Sequence, residues 1–147
     1  IYLLWTTGLR ITEALSLKKG DIDFRNRLAR ITWLKKRRKK ERVIPLHPST
    51  AYELSVYTGS MNRADRVFDI GRTWAYRIVK KYGKRAGIEK DVSPHVLRHS
   101  FAVNFLKQRK NLPVLQKLLG HSNITTTMIY LNIVQSDLAE EIDLVEF

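Results

Sequence analysis

Leu28-Ala29-Arg30-Ile31-Thr32-Trp33-Leu34, the basic connection Lys35–Lys40, and Arg42-Val43-Ile44-Pro45-Leu46 form the stretch of this 147-residue chain where short segments are rich in β-branched and aromatic residues. Such side chains fit a pleated, half-buried surface, so the two apolar segments predict antiparallel strands on either side of the basic connection. Pro45 has no N–H to give a neighbouring strand, which confines its strand to an edge or a strand end. Helical spacing dominates the sequence on both sides. The expected fold is therefore mainly α with a small antiparallel β-sheet or hairpin, an α+β chain read as one domain, 1–147.

On the N-terminal side, Ile1 to Thr7 is an apolar run that Gly8 closes at a helix C-cap position. Leu9 to Leu17 resumes helical spacing with Ile11, Ala14, Leu15 and Leu17, until Lys18-Lys19-Gly20-Asp21 ends it. No start signal precedes Ile1, so the chain reads as a fragment whose first helices begin upstream. On the C-terminal side, Pro48-Ser49-Thr50 starts a helix carrying Ala51, Leu54 and Tyr57, and Thr73 to Ala86 is amphipathic and closed by Gly87. Ser93-Pro94 supplies an N-cap and a proline at the first helical position for a helix through about Gln108. Leu112-Pro113 starts another that Gly120 ends, Ser122-Asn123 caps a helix over Ile124 to Leu131, and Asp137 to Phe147 forms a last short helix or an extended tail.

The formal charge is +13, from 27 Lys+Arg against 14 Asp+Glu. A self-repelling excess of this size points to a polyanion, with nucleic acid ahead of an acidic membrane surface. The charge is uneven: seven of the eight residues from Lys35 to Arg42 are basic, and a second basic stretch runs Arg72, Arg77, Lys80, Lys81, Lys84, Arg85. With no cysteine, disulfide scaffolds, thiolate zinc sites and a cysteine nucleophile are excluded. No apolar stretch approaches the roughly 20 residues needed to span a bilayer, so a cytoplasmic protein with no membrane partner is expected.

The four histidines are His47, His95, His99 and His121. His95, Arg98 and His99 lie three and four residues apart near the start of one helix, where they share a face and where the helix end attracts anions. A metal at His95 and His99 lacks further ligands, and Asp21, Asp23 and Glu13, the only compact acidic cluster, suit turn and cap chemistry better than a two-metal site. No metal and no cofactor are expected.

Three motifs stand in order along the chain: Thr7-Gly8-Leu9-Arg10-Ile11-Thr12-Glu13-Ala14-Leu15, then His95-x-x-Arg98, then Leu118-Leu119-Gly120-His121 with Tyr130 nine residues later. In order and interval they resemble the catalytic domain of the tyrosine recombinases, the phage-integrase and Xer-like family. Lys39-Lys40-Glu41-Arg42-Val43-Ile44-Pro45-Leu46 is similar to the second strand of the family's catalytic hairpin, and the likeness runs from about Thr6 to Tyr130. It implies a site-specific DNA recombinase or integrase that cleaves and rejoins strands without a metal, through a 3′-phosphotyrosyl bond.

The resemblance implies Tyr130 as the nucleophile. Arg10 and Arg98 would hold the phosphate, a task that suits the planar, permanently charged guanidinium. His95 would handle the tyrosine proton or bind phosphate, His121 would hydrogen-bond a phosphate oxygen, Glu13 would orient Arg10, and His99 would support the fold. In the family a lysine in the turn between the two strands protonates the leaving 5′-oxygen. The common interval back from Pro45 lands on Arg37, whose pKa is too high for that work, so Lys36 takes the role, with Lys35 next. Lys35, Arg37, Arg38, Lys39, Lys40, Arg42, Arg72 and Arg77 are expected to track the DNA backbone.

The implied partners are double-stranded DNA and three further copies in a homotetramer on recombining DNA, with a monomer when isolated and a nucleoid-associated location. An N-terminal DNA-binding domain would complete the clamp. Two other readings stand beside this one: a DNA-binding regulator or architectural protein of the same fold that no longer cuts, and a helix-turn-helix regulator reading DNA through Pro113–Tyr130.

Overall fold

The computed structural model describes residues 1–35, 38–109, 111–121 and 125–142. Among them the chain is mainly helical with one three-stranded antiparallel sheet, as expected. It forms two compact units, Ile1–Arg98 and His99–Phe147. None of the described helices is long and apolar enough to cross a membrane.

In the first unit, α1 (Tyr2–Thr7) stops where Gly8 takes the left-handed conformation, φ 64°, and returns its N–H to the Leu4 carbonyl at 3.0 Å. The next helix, α2 (Ile11–Ser16), is shorter than the Leu9–Leu17 reading. Arg10 is still extended, and Glu13 Oε2 accepts the Arg10 N–H at 2.9 Å, which satisfies a donor that the helix start leaves unpaired.

A single 3₁₀ turn, Lys19–Asp21, leads into β1 (Ile22–Asp23), β2 (Leu28–Lys35) and β3 (Arg38–Pro45), paired in that order. The two-residue β1 is too short to leave a period in the sequence. The basic connection is also shorter than expected: Arg38, Lys39 and Lys40 belong to β3, opposite Lys35, Leu34 and Trp33. A run of like charge hid a strand whose exposed Lys39, Lys40 and Glu41 discourage edge-to-edge pairing. Pro45 ends β3, as expected, opposite Leu28. Ala29, Ile31 and Ile44 bury one face of this sheet in a core that includes Leu9, Ala14, Leu54 and Val79.

Two helices complete this unit before the long one that follows: α3 (Pro48–Tyr57) and α4 (Arg72–Arg85), with Gly87 at φ 74° just beyond. Next comes α5 (Pro94–Arg109), where Ser93 Oγ accepts the Val96 N–H at 3.3 Å; the boundary between the units falls inside it.

In the second unit, α6 (Leu112–Leu119) begins with Asn111 accepting the Val114 N–H at 3.1 Å and ends at Gly120, φ 65°. The last helix, α7, is continuous over Thr125–Ile142, instead of stopping near Leu131 with a separate segment from Asp137. The reason is visible in its inward stripe: buried Thr127 and Val134 and half-buried Tyr130 and Leu131 fall at i, i+7, i+3 and i+4, so core contacts carry the helix past Leu131. Val134 packs with Ala102, Leu106, Leu115 and Leu119. Each buried leucine there contributes about 1.5–3 kcal/mol of transfer free energy. The Ser122-Asn123 cap, Ile124 and the end of the tail, 143–147, lie outside the described residues.

Candidate active site

Glu13 is the centre of a charged network. Its side chain is 2% exposed, and a carboxylate so far from water needs partners. It has three: the Arg10 N–H, the Arg10 guanidinium at 3.1 Å, and the Arg42 guanidinium, whose two nitrogens donate to its two oxygens at 2.9 Å each. Burial pushes the Glu13 pKa up, but the Arg42 hydrogen bonds, the Arg10 N–H and the two guanidinium charges outweigh it and hold the carboxyl below the usual glutamate value. One negative charge thus serves two positive ones, so the cluster keeps a net charge of about +1.

Arg10, Ile11, Thr12, Arg72, Tyr76, Pro94, His95 and Arg98 line a cavity of about 190 Å³. They come from the starts of α2, α4 and α5, so helix ends that favour anions meet three guanidiniums and an imidazole, with no carboxylate in the lining. Arg98 is 4% exposed and donates from Nη1 to the Gly8 carbonyl at 2.6 Å, so the αL turn after α1 fixes a buried cation at the cavity wall. Arg72 stands at the N-terminal end of α4, where a cation opposes the helix dipole; it lies 5.7 Å over the Tyr76 ring. A cation kept at the wrong helix end beside an anion-favouring cavity suits a ligand better than it suits the helix.

In the second unit, the Tyr130 ring is half-buried against the apolar cluster and tilted against the His99 ring, with centroids 5.2 Å apart. His121 follows Gly120, its N–H bonded to the Gln116 carbonyl. Its Nδ1 pairs at 2.9 Å with the hydroxyl of Thr127, a fully buried residue of α7. The sequence model of the phage integrase family matches residues 1–136.

The chain belongs to the phage integrase family. It is 41% identical over 141 residues to the tyrosine recombinase XerA of Saccharolobus solfataricus, an alignment covering 96% of this chain and 47% of that protein. The crystal structure of XerA recombinase matches at a TM-score of 0.82 and 29% identity, over 99% of this chain and 57% of that one. XerH site-specific recombinase bound to difH substrate, a pre-cleavage complex, matches at a TM-score of 0.74 and 27% identity, over 88% and 40%. The chain spans about half the length of the curated relatives it matches.

In this phage integrase chain, the residues expected at a site fall into two groups. Arg10, His95 and Arg98 meet at the cavity, with Glu13 behind Arg10. His99, His121 and Tyr130 belong to the second unit, and His99 packs on Tyr130 instead of lining the cavity with His95. Lys36 and Arg37 lie outside the described residues. Lys39, Lys40, Arg72 and Arg77 are exposed, but Arg42, expected to face outward with them, is turned onto Glu13 with its side chain 10% exposed.

The signal for Arg42 was present in the sequence: it shares period-2 parity with Ile44 and Leu46, both buried. Tyr76 and Thr127 were also missed; Tyr76 is legible only as the i+4 neighbour of Arg72, and Thr127 only through the buried stripe of α7. Asp21 and Asp23 do the turn work expected of them, accepting the Lys18 and Asn26 N–H groups.

Proposed function

We propose that this chain is the catalytic domain of a site-specific DNA recombinase that cuts and rejoins DNA through Tyr130. The observation that carries the reading is the cavity in which Arg10, Arg98 and His95 converge with no acid in the lining. A phosphodiester under attack gathers negative charge on its two non-bridging oxygens, and two pre-oriented guanidiniums supply what that charge needs. The Tyr130 hydroxyl oxygen bonds to phosphorus and the bond from phosphorus to the 5′-oxygen breaks. The tyrosine proton passes to His95 or solvent, and Lys36 gives a proton to the departing 5′-oxygen. The product is a 3′-phosphotyrosyl bond, which a 5′-hydroxyl from a second duplex reverses to rejoin the strands. His121 donates to a phosphate oxygen, and the exposed bases Lys39, Lys40, Arg72 and Arg77 follow the backbone. These steps draw on side chains alone and call for no cofactor.

DNA as substrate agrees with the difH complex of XerH, a relative of the same fold. Exchange between two duplexes needs four cuts, and so four copies of the chain on the recombining DNA, working at the nucleoid. The deciding experiment traps the covalent adduct on a nicked suicide duplex. Wild type should yield a protein–DNA band resistant to detergent, and Tyr130→Phe should yield none; a wild-type-like band in that variant overturns the proposal. Binding should also weaken steeply with salt, as phosphate contacts release counterions.

A further inference from the structure

We propose that Arg42 is a positioning residue for Arg10, acting through Glu13, and that it does not contact DNA. The inference rests on the strand-cleavage reading and adds to it a residue on another element, the β3 strand.

Three observations lead there. First, β3 register puts Arg42 opposite Ile31 and two residues before Ile44, both buried, so its side chain leaves the sheet on the face turned toward protein. Second, the guanidinium lies 5.0 Å over the Trp33 ring and donates in a two-pronged contact to both oxygens of Glu13. An arginine offered to passing phosphates would not be committed on both prongs to a buried acid. Third, the Arg10 side chain is 41% exposed and reaches Glu13 through one 3.1 Å contact, whereas Arg42 is 10% exposed. Arg42 is therefore the partner that keeps Glu13 ionised away from water, and Glu13 is the group that orients Arg10.

The charge balance gives this arrangement a purpose. A lone Glu13–Arg10 pair would be neutral, and the carboxylate would compete with the phosphate for the guanidinium. With Arg42 holding both carboxylate oxygens, Glu13 still steers Arg10 but no longer cancels it, so the clamp reaches the phosphate with net positive charge. Arg42 also spans 29 residues of sequence to tie the basic hairpin to the start of α2.

The test uses the full chain, with single-turnover adduct formation at saturating DNA on two substrates: an ordinary scissile phosphodiester, and one in which a methylphosphonate replaces it. The methyl group removes a non-bridging negative charge, so a defect in the guanidinium clamp matters less there. Arg42→Gln should slow adduct formation on the phosphodiester about tenfold or more, short of the about 10²–10³-fold expected for losing a direct donor. On the methylphosphonate its deficit should shrink to about threefold or less. DNA affinity should stay within about twofold and the salt slope unchanged, whereas loss of a true phosphate contact would lower that slope by about one.

Arg42→Lys keeps a cation opposite Glu13 but gives up the two-pronged contact, and should show the same contrast at smaller size. It carries the test if Arg42→Gln does not fold. A lowered salt slope with unchanged cleavage at saturation overturns the proposal in favour of a DNA contact, and an equal deficit on both substrates overturns it in favour of a general structural role. In either case a wild-type adduct that Tyr130→Phe abolishes leaves the strand-cleavage reading standing. Absence of any wild-type adduct overturns that reading and this proposal with it.

Discussion

The two units hold their candidate groups by different means. In Ile1–Arg98 two cavity guanidiniums are tied by directional bonds: Arg98 to the Gly8 carbonyl, and Arg10 to a Glu13 carboxylate that is itself held by Arg42. In His99–Phe147 the Tyr130 ring rests on an apolar cluster and the His99 ring, contacts that constrain position far more than direction. The difference follows from the chemistry proposed for each. A group that stabilises developing charge works by being oriented before the reaction, since reorienting dipoles during it would consume the benefit. A nucleophile must give up its resting contacts to form a bond, and dispersion contacts, each only about 0.1–0.2 kcal/mol per atom pair, release it gradually.

The contrast is most exposed at Glu13. Glu13→Ala leaves the Arg42 guanidinium buried without its acid, and removing one partner of a buried ion pair costs about 3–5 kcal/mol. Tyr130→Phe deletes only a hydroxyl from a half-buried ring and should stay within about 0.5 kcal/mol of wild type. Urea unfolding of both variants at neutral pH measures the gap, and a Glu13→Ala cost near that of Tyr130→Phe would break the comparison. Next in size is Arg98→Lys. An ammonium keeps the charge but loses the planar fork that bonds Gly8 and that suits two phosphate oxygens in parallel, so adduct formation should fall about 10²–10³-fold. A loss of less than about threefold in single-turnover trapping would mean that direction at this position is unimportant.

How far the sequence carried these assignments depended on whether a local signal existed. Gly8, Gly87 and Gly120 marked helix ends because the left-handed conformation found there selects glycine. Ser93-Pro94 marked a start for an equally local reason. The His95–Arg98 spacing sufficed to bring those two side chains to one cavity, because a helix makes i and i+3 neighbours. Arg42 failed the same kind of reading because composition drowned parity: seven bases in eight positions look like a solvated run, although alternation with Ile44 and Leu46 turned this one inward. The continuation of α7 to Ile142 was missed because an acid-rich tail reads as an exposed segment until the burial of Val134 is known. What escaped was set by contacts distant in sequence, such as the 29-residue reach from Glu13 to Arg42.

Acid sharpens the comparison with a smaller effect. The Glu13 carboxyl sits below its ordinary value of 4.5, so the unfolded chain takes up the proton first. The stability this gives is fully present above about pH 4.5 and is lost as pH falls through the lower folded value. Asp23, also held low by the Asn26 N–H and side chain, titrates in the variant as well and cancels in the difference. Urea midpoints of wild type and Glu13→Gln should therefore lie furthest apart near neutrality and converge below pH 4.5; a constant separation would remove the ionised carboxylate from the explanation.

The smallest effect tests a directional bond in the second unit, the one between Thr127 and the His121 ring. Thr127 is fully buried with its hydroxyl 2.9 Å from His121 Nδ1, so it constrains which way the imidazole faces. If the hydroxyl donates, Nδ1 is the acceptor and the ring proton sits on Nε2, the nitrogen that donates to a phosphate oxygen in the proposed step. Thr127→Val keeps the shape and removes that constraint. A net hydrogen bond is worth about 1 kcal/mol, so adduct formation should fall by about five- to tenfold, with unfolding shifted by no more than about 1 kcal/mol. Thr127→Ser retains the hydroxyl and should recover most of the rate. Equal rates in the valine and serine variants would mean that the Thr127 hydroxyl does not set the direction in which the His121 ring faces the phosphate.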